Sequence, residues 1–517
     1  MLTAKNIYIY FQLIKMKSLN QNQMKFKLSI ILTLVMVCAT IAQNGNPNDY
    51  LSAQFHKERR EALRKKMPKN SVAVFFGNAV RNRANDVDFI YHQDPNFYYL
   101  TGYKEPNCVL VIFSDNQTNK EGKTYNELLY VQEKNARAEQ WTGVRLGVDG
   151  AKKSLGFENA LNGKEFLKSG IDFYSFSNVF FTDFKDDYRD SKKEEADLYK
   201  LIGSFKGQIG YNTKTDTKTD SNIQNEINTT KSIHAKKANI DTKAINTYMA
   251  SLREVKSKEE MVLLTKAVRI SAMGQRETMK AMHPGMSEAE IQGIHEFVYK
   301  KYGSEYEGYP SIVGAGNNGC VLHYIENSKM KVENDLVLMD LGAEYHGYTA
   351  DVTRTIPANG KFSPEQKIIY DLVYDAQEAG IATVKIGNSF TAPDKAARDI
   401  ITNGLIKLGI INTAEESRKY FPHGTSHHIG LDVHDPGMYN TFEKDMVLTV
   451  EPGIYIPNGS DCDKKWWGIA VRIEDDILVT DNAPVNLSAD APRKSNEIEA
   501  LMTEKSALDT FNLPKLD

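Results

Sequence analysis

The chain has 517 residues, of which 41% are hydrophobic and 25% are charged, and its formal net charge at pH 7 is −3. This length and composition are typical of a globular protein with at least two domains, each with a full hydrophobic core. The small net charge and the scarcity of basic runs argue against nucleic acid as a partner.

The amino-terminal segment has the pattern of an export signal. Two lysines precede an apolar run, residues 28–42, and a polar stretch follows it at once. The run is shorter than the roughly 20 residues that a membrane-spanning helix needs. We therefore predict a signal peptide over residues 1–42, with Met24 as an alternative start and cleavage near Ala39 or Ala42. The mature protein would be periplasmic or secreted, without stable membrane insertion; an uncleaved anchor or a buried helix is the alternative.

Residues 48–249 alternate short apolar runs with helical stretches, which predicts a smaller α/β domain. Strands are predicted at Ser71–Phe76, Cys108–Phe113 and Leu128–Gln132, where β-branched and aromatic residues are dense. A polar insert at residues 212–231 contains few apolar side chains. Such a composition cannot bury a core, so it predicts a solvated loop.

Residues 257–505 repeat one pattern twice, two helices followed by strands. Ser257, Ser287 and Ser363 each stand three residues before a glutamate or glutamine, which predicts capping boxes that open three helices. A fourth helix is predicted over residues 392–408. Strands are predicted at Tyr309–Val313, Val321–Ile325, Leu336–Leu341, Tyr348–Thr355, Met446–Tyr455 and Ile469–Val479. The repeat predicts a pseudo-symmetric α+β domain, with helices covering one face of a curved antiparallel sheet and a pocket between its halves.

Five potential metal ligands stand in or beside these predicted strands: Asp340, Asp351, His427, Glu451 and Glu474. Four carboxylates in one pocket raise one another's pKa, and burying each unpaired charge costs several kcal/mol. Two divalent cations would cancel that charge. Oxygen-rich coordination with a single imidazole favours manganese over zinc. The set therefore predicts a metallohydrolase in which two divalent ions activate a water that attacks an amide or phosphoryl bond.

Each of these residues also has an ordinary interpretation. An aspartate at a strand end is usually a turn former or a cap, and a single histidine is usually a surface or core residue. Arg472 is predicted on the same strand face as Glu474, either as its salt-bridge partner or as a group that holds a ligating carboxylate. A site is favoured by four histidines within twelve glycine-rich positions: His423, His427, His428 and His434.

The chain resembles the aminopeptidase P branch of the pita-bread metallopeptidases. Four segments carry the resemblance: MDLGAEYHGYTADVTRT from Met339, HGTSHHIGLDVHD from His423, TVEPGIY from Thr449 and VRIEDD from Val471. A looser match, PNFYYLTGYKEPNCVLVI from Pro95, extends it over roughly residues 48–505. The resemblance implies a pita-bread catalytic domain over 257–505 after an aminopeptidase P amino-terminal domain over 48–249. It also implies release of the first residue from peptides with proline in the second position, by attack of a metal-bridging hydroxide.

The resemblance also implies a role for each ligand. Asp340 would chelate one metal ion, His427 and Glu451 would bind the other, and Asp351 and Glu474 would bridge the two. Glu451 would also act as the base that takes the proton of the attacking water.

Further residues match positions that contact the substrate in this family. His323, in GCVLHYIEN, and His434 would contact the scissile carbonyl and stabilise its developing charge, and His423 would lie near the substrate. Tyr455 and Arg472 would support the site beside them. The expected partners are proline-containing peptides and a second or further copy of the chain, in a homodimer or homotetramer.

Three other functions remain open from the sequence. A prolidase uses the same ligands on Xaa-Pro dipeptides alone, and needs groups that capture a free carboxylate. A metal-free pita-bread module binds peptides or histones, and a creatinase-like amidinohydrolase also works without metal. The complete set of five ligands argues against the last two.

Overall fold

The structure is a computed structural model that describes residues 47–185, 187–192, 194–211 and 237–510. The predicted signal segment and the polar insert at 212–231 lie outside the described residues. Within the part of the chain that is described, no helix is both long and apolar enough to cross a membrane.

The amino-terminal part is built on a six-stranded mixed sheet with the order β6-β5-β4-β1-β7-β8. Its strands, with the small hairpin β2–β3, are β1 Ser71–Phe76, β2 Asn82–Ala84, β3 Val87–Asp88, β4 Val109–Thr118, β5 Thr124–Val131, β6 Ala160–Asn162, β7 Asn178–Phe180 and β8 Ile240–Asp241. Its helices are α1 Ala53–Lys66, α2 Pro95–Thr101, α3 Ala136–Thr142, α4 Gly147–Leu155, α5 Gly163–Phe166, α6 Leu198–Gln208 and α7 Ala244–Arg253. The three strands predicted here are observed as β1, β4 and β5, and the α/β character is confirmed.

The carboxy-terminal part has helices over antiparallel strands, as predicted. Its helices are α8 Lys258–Ala281, α9 Glu288–Lys301, α10 Pro364–Ala382, α11 Ala392–Lys407 and α12 Ser495–Leu501. Its strands are β9 Tyr306–Glu307, β10 Ile312–Ala315, β11 Leu336–Asp340, β12 Ala343–Tyr345, β13 Tyr348–Thr349, β14 Thr353–Pro357, β15 Val447–Val450, β16 Gly453–Ile456, β17 Ile469–Arg472, β18 Asp475–Leu478 and β19 Val485–Asn486. Every described strand pair in this part is antiparallel.

Three predicted strands are interrupted, each at a potential metal ligand. The run 348–355 divides into β13 and β14 around Asp351, 446–455 into β15 and β16 around Glu451, and 469–479 into β17 and β18 around Glu474. The hydrophobic pattern continues through each break, so the sequence predicted single strands, with a bend expected only after Glu451, where Pro452 and Gly453 follow. In a regular strand, successive side chains point to opposite faces of the sheet. Because these three residues lie outside the paired strands, their carboxylates do not follow that alternation and converge.

The strand predicted at Val321–Ile325 is wrong. The segment follows a short 3₁₀ turn and pairs with no other described strand. Tyr324 packs inward and donates its hydroxyl proton to Glu288, while Val321 and Ile325 are each 55% exposed. The segment does contain alternating apolar residues, but it forms a loop that is held in place by the buried side chain of Tyr324.

Both predicted domains contribute to one continuous apolar core, in which Phe55 of α1 belongs to the same cluster as Leu263 of α8 and Ile454 of β16. In the carboxy-terminal part, α8 packs on α9 and on β12 and β13, while α10 packs on α11 and β17. The helices thus support the strands that carry the predicted ligands.

Two of the three predicted capping boxes are complete. Ser257 accepts a hydrogen bond from the backbone of Glu260, whose carboxylate in turn accepts from the Ser257 backbone, and Ser363 makes the same reciprocal pair with Gln366. Ser287 accepts from the backbone of Glu290 at 3.0 Å, but that glutamate side chain is exposed and does not reach back. The box at the start of α9 is therefore only half formed.

Replacing Glu260 by alanine is expected to lower the free energy of unfolding by about 2 kcal/mol, because its carboxylate also accepts a hydrogen bond from buried Tyr348 at 3.0 Å. The variant loses the cap and leaves that phenol unpaired. Glu290→Ala is the matched control and should change stability by less than about 0.5 kcal/mol. Denaturant unfolding of both variants measures the difference, and equal losses would show that the buried contact contributes nothing.

Candidate metal centre

The first pair of carboxylates is brought together by a tight hairpin. His346 and Gly347 connect β12 to β13 with φ values of 51° and 91°. Positive φ at both central residues is the signature of the two-residue type I′ turn, which matches strand twist. Beyond the hairpin, β11 and β14 pair with Asp340 opposite Thr353. Asp351, two residues before Thr353, is therefore held beside Asp340.

The second pair lies at the end of another ladder. Strands β15 and β18 pair, and their last partners are Val450 and Asp475. Glu451 directly follows Val450 and Glu474 directly precedes Asp475. Both glutamates therefore lie just beyond the same end of this strand pair. His427 joins them because its backbone carbonyl accepts from Thr449 at 2.9 Å and its amide donates to the Thr449 hydroxyl at 3.1 Å.

These side chains converge on one point. Asp351, His427 and Glu474 each offer a ligand atom within 4.8 Å of the others. His427 Nε2 lies 3.4 Å from Asp351 Oδ2 and 3.5 Å from Glu451 Oε1. Asp340 joins through Tyr309, whose hydroxyl lies 2.6 Å from Asp340 Oδ1 and 2.5 Å from Asp351 Oδ1. All five predicted ligands therefore line one pocket.

The electrostatics of the pocket are those of a site built for cations. Burial and then the charge of Asp340 raise the pKa of Asp351 well above its usual range. Burial and then the charge of Asp351 do the same to the pKa of Glu474. Burial and then the charge of Glu474 raise the pKa of Glu451 to about 8. In each case burial and the neighbouring carboxylates outweigh the positive charge of Arg472, and divalent ions would supply further positive charge.

The imidazole of His427 is in the tautomer that a metal ligand needs. His427 Nδ1 lies 3.0 Å from the carbonyl oxygen of His428. A carbonyl only accepts, so Nδ1 carries the proton and the lone pair of Nε2 faces the carboxylates. Four carboxylates and one imidazole oriented in this way fit divalent metal ions.

Of the two alternatives for Arg472, the salt bridge with Glu474 is not observed, whereas the contacts agree with a group that holds predicted metal-binding carboxylates. Its Nη2 donates to Asp340 Oδ2 at 2.5 Å, and no ion pair joins it to Glu474 among the described residues. Its Nε donates to the hydroxyl of Thr353 at 3.1 Å, and that hydroxyl donates to Glu474 Oε2 at 2.6 Å. The guanidinium therefore supports Asp340 directly and Glu474 through Thr353. The predicted pairing with Glu474 placed the two on one strand, but β17 ends at Arg472.

Tyr455 links this arginine to a histidine. Arg472 Nη1 donates to the Tyr455 hydroxyl at 2.9 Å, and that hydroxyl lies 2.8 Å from His423 Nε2. His423 Nδ1 lies 2.7 Å from the carbonyl oxygen of Gly424, which fixes its proton there. The phenol therefore donates to Nε2. Burial and then the charge of Arg472 lower the pKa of His423 to about 4, so this imidazole is neutral at pH 7.

The remaining histidines lie in three different environments. The His434 ring lies against that of His427 with centroids 4.1 Å apart and an angle of 45° between the ring planes, and burial lowers the pKa of His434 to about 4. His323 is exposed on the loop before β11. His428 points away and packs on Phe390 with ring centroids 4.6 Å apart. One member of the predicted histidine cluster is therefore a core residue.

Three residues of the site escaped the sequence analysis. Tyr309 contacts both aspartates, Thr353 bonds Glu474, and Asp476 accepts from the backbone amide of Asp351 at 3.1 Å. Asp476 lies within the VRIEDD segment and Thr353 lies within MDLGAEYHGYTADVTRT. Their closeness in sequence to a predicted ligand could therefore have identified them. Tyr309 stands beside a proline and has no predicted ligand near it in the sequence. Its contacts with the two aspartates arise only when β10 and β11 pair.

Comparison with known proteins places these features in a family. The profile of metallopeptidase family M24 matches residues 262–481, and the profile described as the aminopeptidase P amino-terminal domain matches residues 56–171. The Xaa-Pro aminopeptidase of Escherichia coli is 34% identical over 471 residues, which cover 87% of this chain and 98% of that protein.

Solved structures give the same result. The structure of Pseudomonas aeruginosa aminopeptidase PepP has a TM-score of 0.75 and 30% identity, covering 88% of this chain and 99% of its own. A zinc-substituted Escherichia coli aminopeptidase P in complex with product has a TM-score of 0.73 and 33% identity, covering 88% of this chain and 99% of its own. The shared architecture therefore extends over 88% of this chain.

Proposed function

The chain belongs to the Xaa-Pro aminopeptidase family of the M24 metallopeptidases, and on that premise we propose that it releases the amino-terminal residue from peptides with proline in the second position. The observation that carries the proposal is the convergence of Asp351, His427 and Glu474 within 4.8 Å, with Glu451 and Asp340 completing the set. We further propose that this pocket holds two divalent ions, preferentially manganese, because five of its side chains supply mainly hard oxygen donors.

The residues would share the ions as the resemblance implies. Asp340 would chelate one, His427 and Glu451 would bind the other, and Asp351 and Glu474 would lie between them. When bound, the ions lower the pKa of a shared water and polarise the scissile carbonyl. A free amino group on the substrate would complete the coordination, which explains removal of a single residue from the peptide end.

The protein's own groups would then move the proton and hold the charge. Burial and the neighbouring Glu474 raise the pKa of Glu451, and the positive charge of bound ions would offset that rise, so that the ionised carboxylate could take a proton from water near neutral pH. His434 and His323 would contact the scissile carbonyl and stabilise the negative charge that develops on it. His423, Tyr455 and Arg472 form a hydrogen-bonded chain that would hold the substrate side of the pocket in place.

Several further properties belong to the same proposal. The amino-terminal domain would end near residue 249 and the catalytic domain would begin at residue 257. The protein would act outside the cytoplasm after removal of residues 1–42. It would assemble as a homodimer or homotetramer.

The test is hydrolysis of an Arg-Pro-Pro tripeptide and an Ala-Pro dipeptide by metal-stripped protein, before and after addition of Mn²⁺ or Zn²⁺. We expect release of arginine from the tripeptide only after metal is added, and faster with Mn²⁺. Cleavage of the dipeptide alone would identify a prolidase instead. Absence of hydrolysis with either ion would support a peptide-binding module, and mass spectrometry of the products distinguishes these outcomes.

A further inference from the structure

Two buried glutamines stand behind the metal-ligand strands, one in each half of the catalytic part. Gln275 lies on α8 and Gln377 lies on α10, which are the first helices of the two halves. Both side chains have 0% exposure. An amide in such a position is costly unless its hydrogen bonds are made, so its partners indicate why it is there.

Gln275 joins the two chain segments that carry the first carboxylate pair. Its Nε2 donates to the carbonyl oxygen of Met339 at 3.1 Å and to that of Val352 at 2.8 Å. Met339 directly precedes Asp340, and Val352 directly follows Asp351. The amide therefore spans the chains just beside both ligands, where the regular ladder of β11 and β14 ends.

Gln377 does the same for the second pair. Its Nε2 donates to the carbonyl oxygen of Val450 at 3.0 Å and to Asp475 Oδ2 at 2.8 Å. Val450 directly precedes Glu451, and Asp475 directly follows Glu474. Here too the amide lies at the end of a ladder, that of β15 and β18. In both halves the glutamine bonds the residue before the first carboxylate and the residue after the second.

We propose that Gln275 and Gln377 are positioning residues that fix the spacing of the two carboxylate pairs and thereby the affinity of the pocket for divalent ions. We call them the glutamine clamps. The inference rests on the proposed function for its metal, but none of the four contacts involves a predicted metal ligand. Where a ladder ends, the strands lose the hydrogen bonds that hold them at a fixed distance, and a side-chain amide replaces them.

Their positions distinguish the clamps from ordinary core contacts. Neither Nε2 bonds a carboxylate that is predicted to bind metal. The Gln377 Oε1 accepts from Arg493 at 2.9 Å, whereas Gln275 Oε1 has no hydrogen-bond partner among the described residues. The feature common to the two is therefore the pair of bonds from Nε2, one to each ligand-bearing segment.

The test replaces each glutamine by methionine, which has similar length and flexibility but donates no hydrogen bond. Gln292→Met is the control, because Gln292 is a partly buried glutamine of the same domain whose partners are Glu296 and Asn327. Calorimetric titration of metal-stripped protein with Mn²⁺ measures affinity. We expect binding to weaken by about 10- to 100-fold in each clamp variant and by less than about threefold in the control.

Hydrogen–deuterium exchange of the metal-free variants provides a second readout that needs no metal. Gln275→Met should speed exchange in peptides covering residues 336–355 and leave residues 447–478 unchanged, and Gln377→Met should do the reverse. If Gln377→Met misfolds because it also loses the hydrogen bond from Arg493, the results for Gln275→Met alone test the inference.

The outcomes separate the clamps from the proposed function. Unchanged Mn²⁺ affinity in a folded variant, or faster exchange spread equally over both halves, would overturn the inference. Wild-type protein that binds no divalent ion would end the proposed function, while half-specific exchange would still support the clamps as devices that hold the carboxylates together.

Discussion

Glu451→Gln is expected to reduce kcat/KM on an Arg-Pro-Pro tripeptide by about a thousandfold, because a neutral amide can neither accept the proton of the attacking water nor balance a cation. Glutamine has the same size as the glutamate it replaces. In the wild-type protein, Glu451 Oε1 lies 3.5 Å from His427 Nε2. The loss should therefore come from chemistry and metal binding, not from packing.

The same substitution is expected to leave the metal-free protein at least as stable as wild type at pH 8. Burial and the neighbouring Glu474 raise the pKa of Glu451 from 4.5 to about 8 in the folded protein. Between these two values the folded state holds a proton that the unfolded state has released. The free energy of unfolding of metal-free wild type therefore falls as pH rises through this window. Glutamine is neutral throughout and does not contribute to that fall.

Thermal unfolding at pH 5 and pH 8, with and without Mn²⁺, measures both effects. The Tm of the metal-free variant should rise relative to wild type between pH 5 and pH 8, whereas Mn²⁺ should stabilise wild type much more than the variant. Glu443→Gln, at an exposed position in the same domain, should show neither change. Retained activity in Glu451→Gln would remove this residue from the proposed chemistry.

The residues that could be predicted from the sequence are those with a local signature. The caps at Ser257 and Ser363 and the alternating strands are set by neighbours in the chain. For the same reason the family motifs, which surround the five predicted ligands, were sufficient to predict that these side chains lie close together.

What could not be predicted depends on contacts between distant segments. The breaks in the strands at Asp351 and Glu474 have no sign in the hydrophobic pattern, because the apolar residues on either side remain buried, whereas the bend after Glu451 is marked by Pro452 and Gly453. The direct carboxylate partner of Arg472 is Asp340, which depends on how β17 lies beside β11, and local spacing could not decide between the two alternatives for this arginine. Tyr309 reaches both aspartates only through the pairing of β10 with β11.

Arg472 carries the second large prediction. Its guanidinium makes three hydrogen bonds in different directions, to Asp340, Thr353 and Tyr455. Lysine places three donors on a single flexible atom and cannot reproduce this geometry. We expect Arg472→Lys to lower kcat/KM and Mn²⁺ affinity by about 10- to 100-fold, because Asp340 and, through Thr353, Glu474 lose the groups that orient them.

Arg60→Lys is the matched control, since Arg60 is equally buried and bonds Glu127 through two nitrogens in the amino-terminal part. Both variants should unfold at lower temperature, because each weakens a buried ion pair. Only Arg472→Lys should also weaken metal binding and change the dependence of activity on Mn²⁺ concentration. If the two variants lose stability alike and both keep wild-type metal affinity, Arg472 acts as a structural ion pair and the carboxylates orient themselves without it.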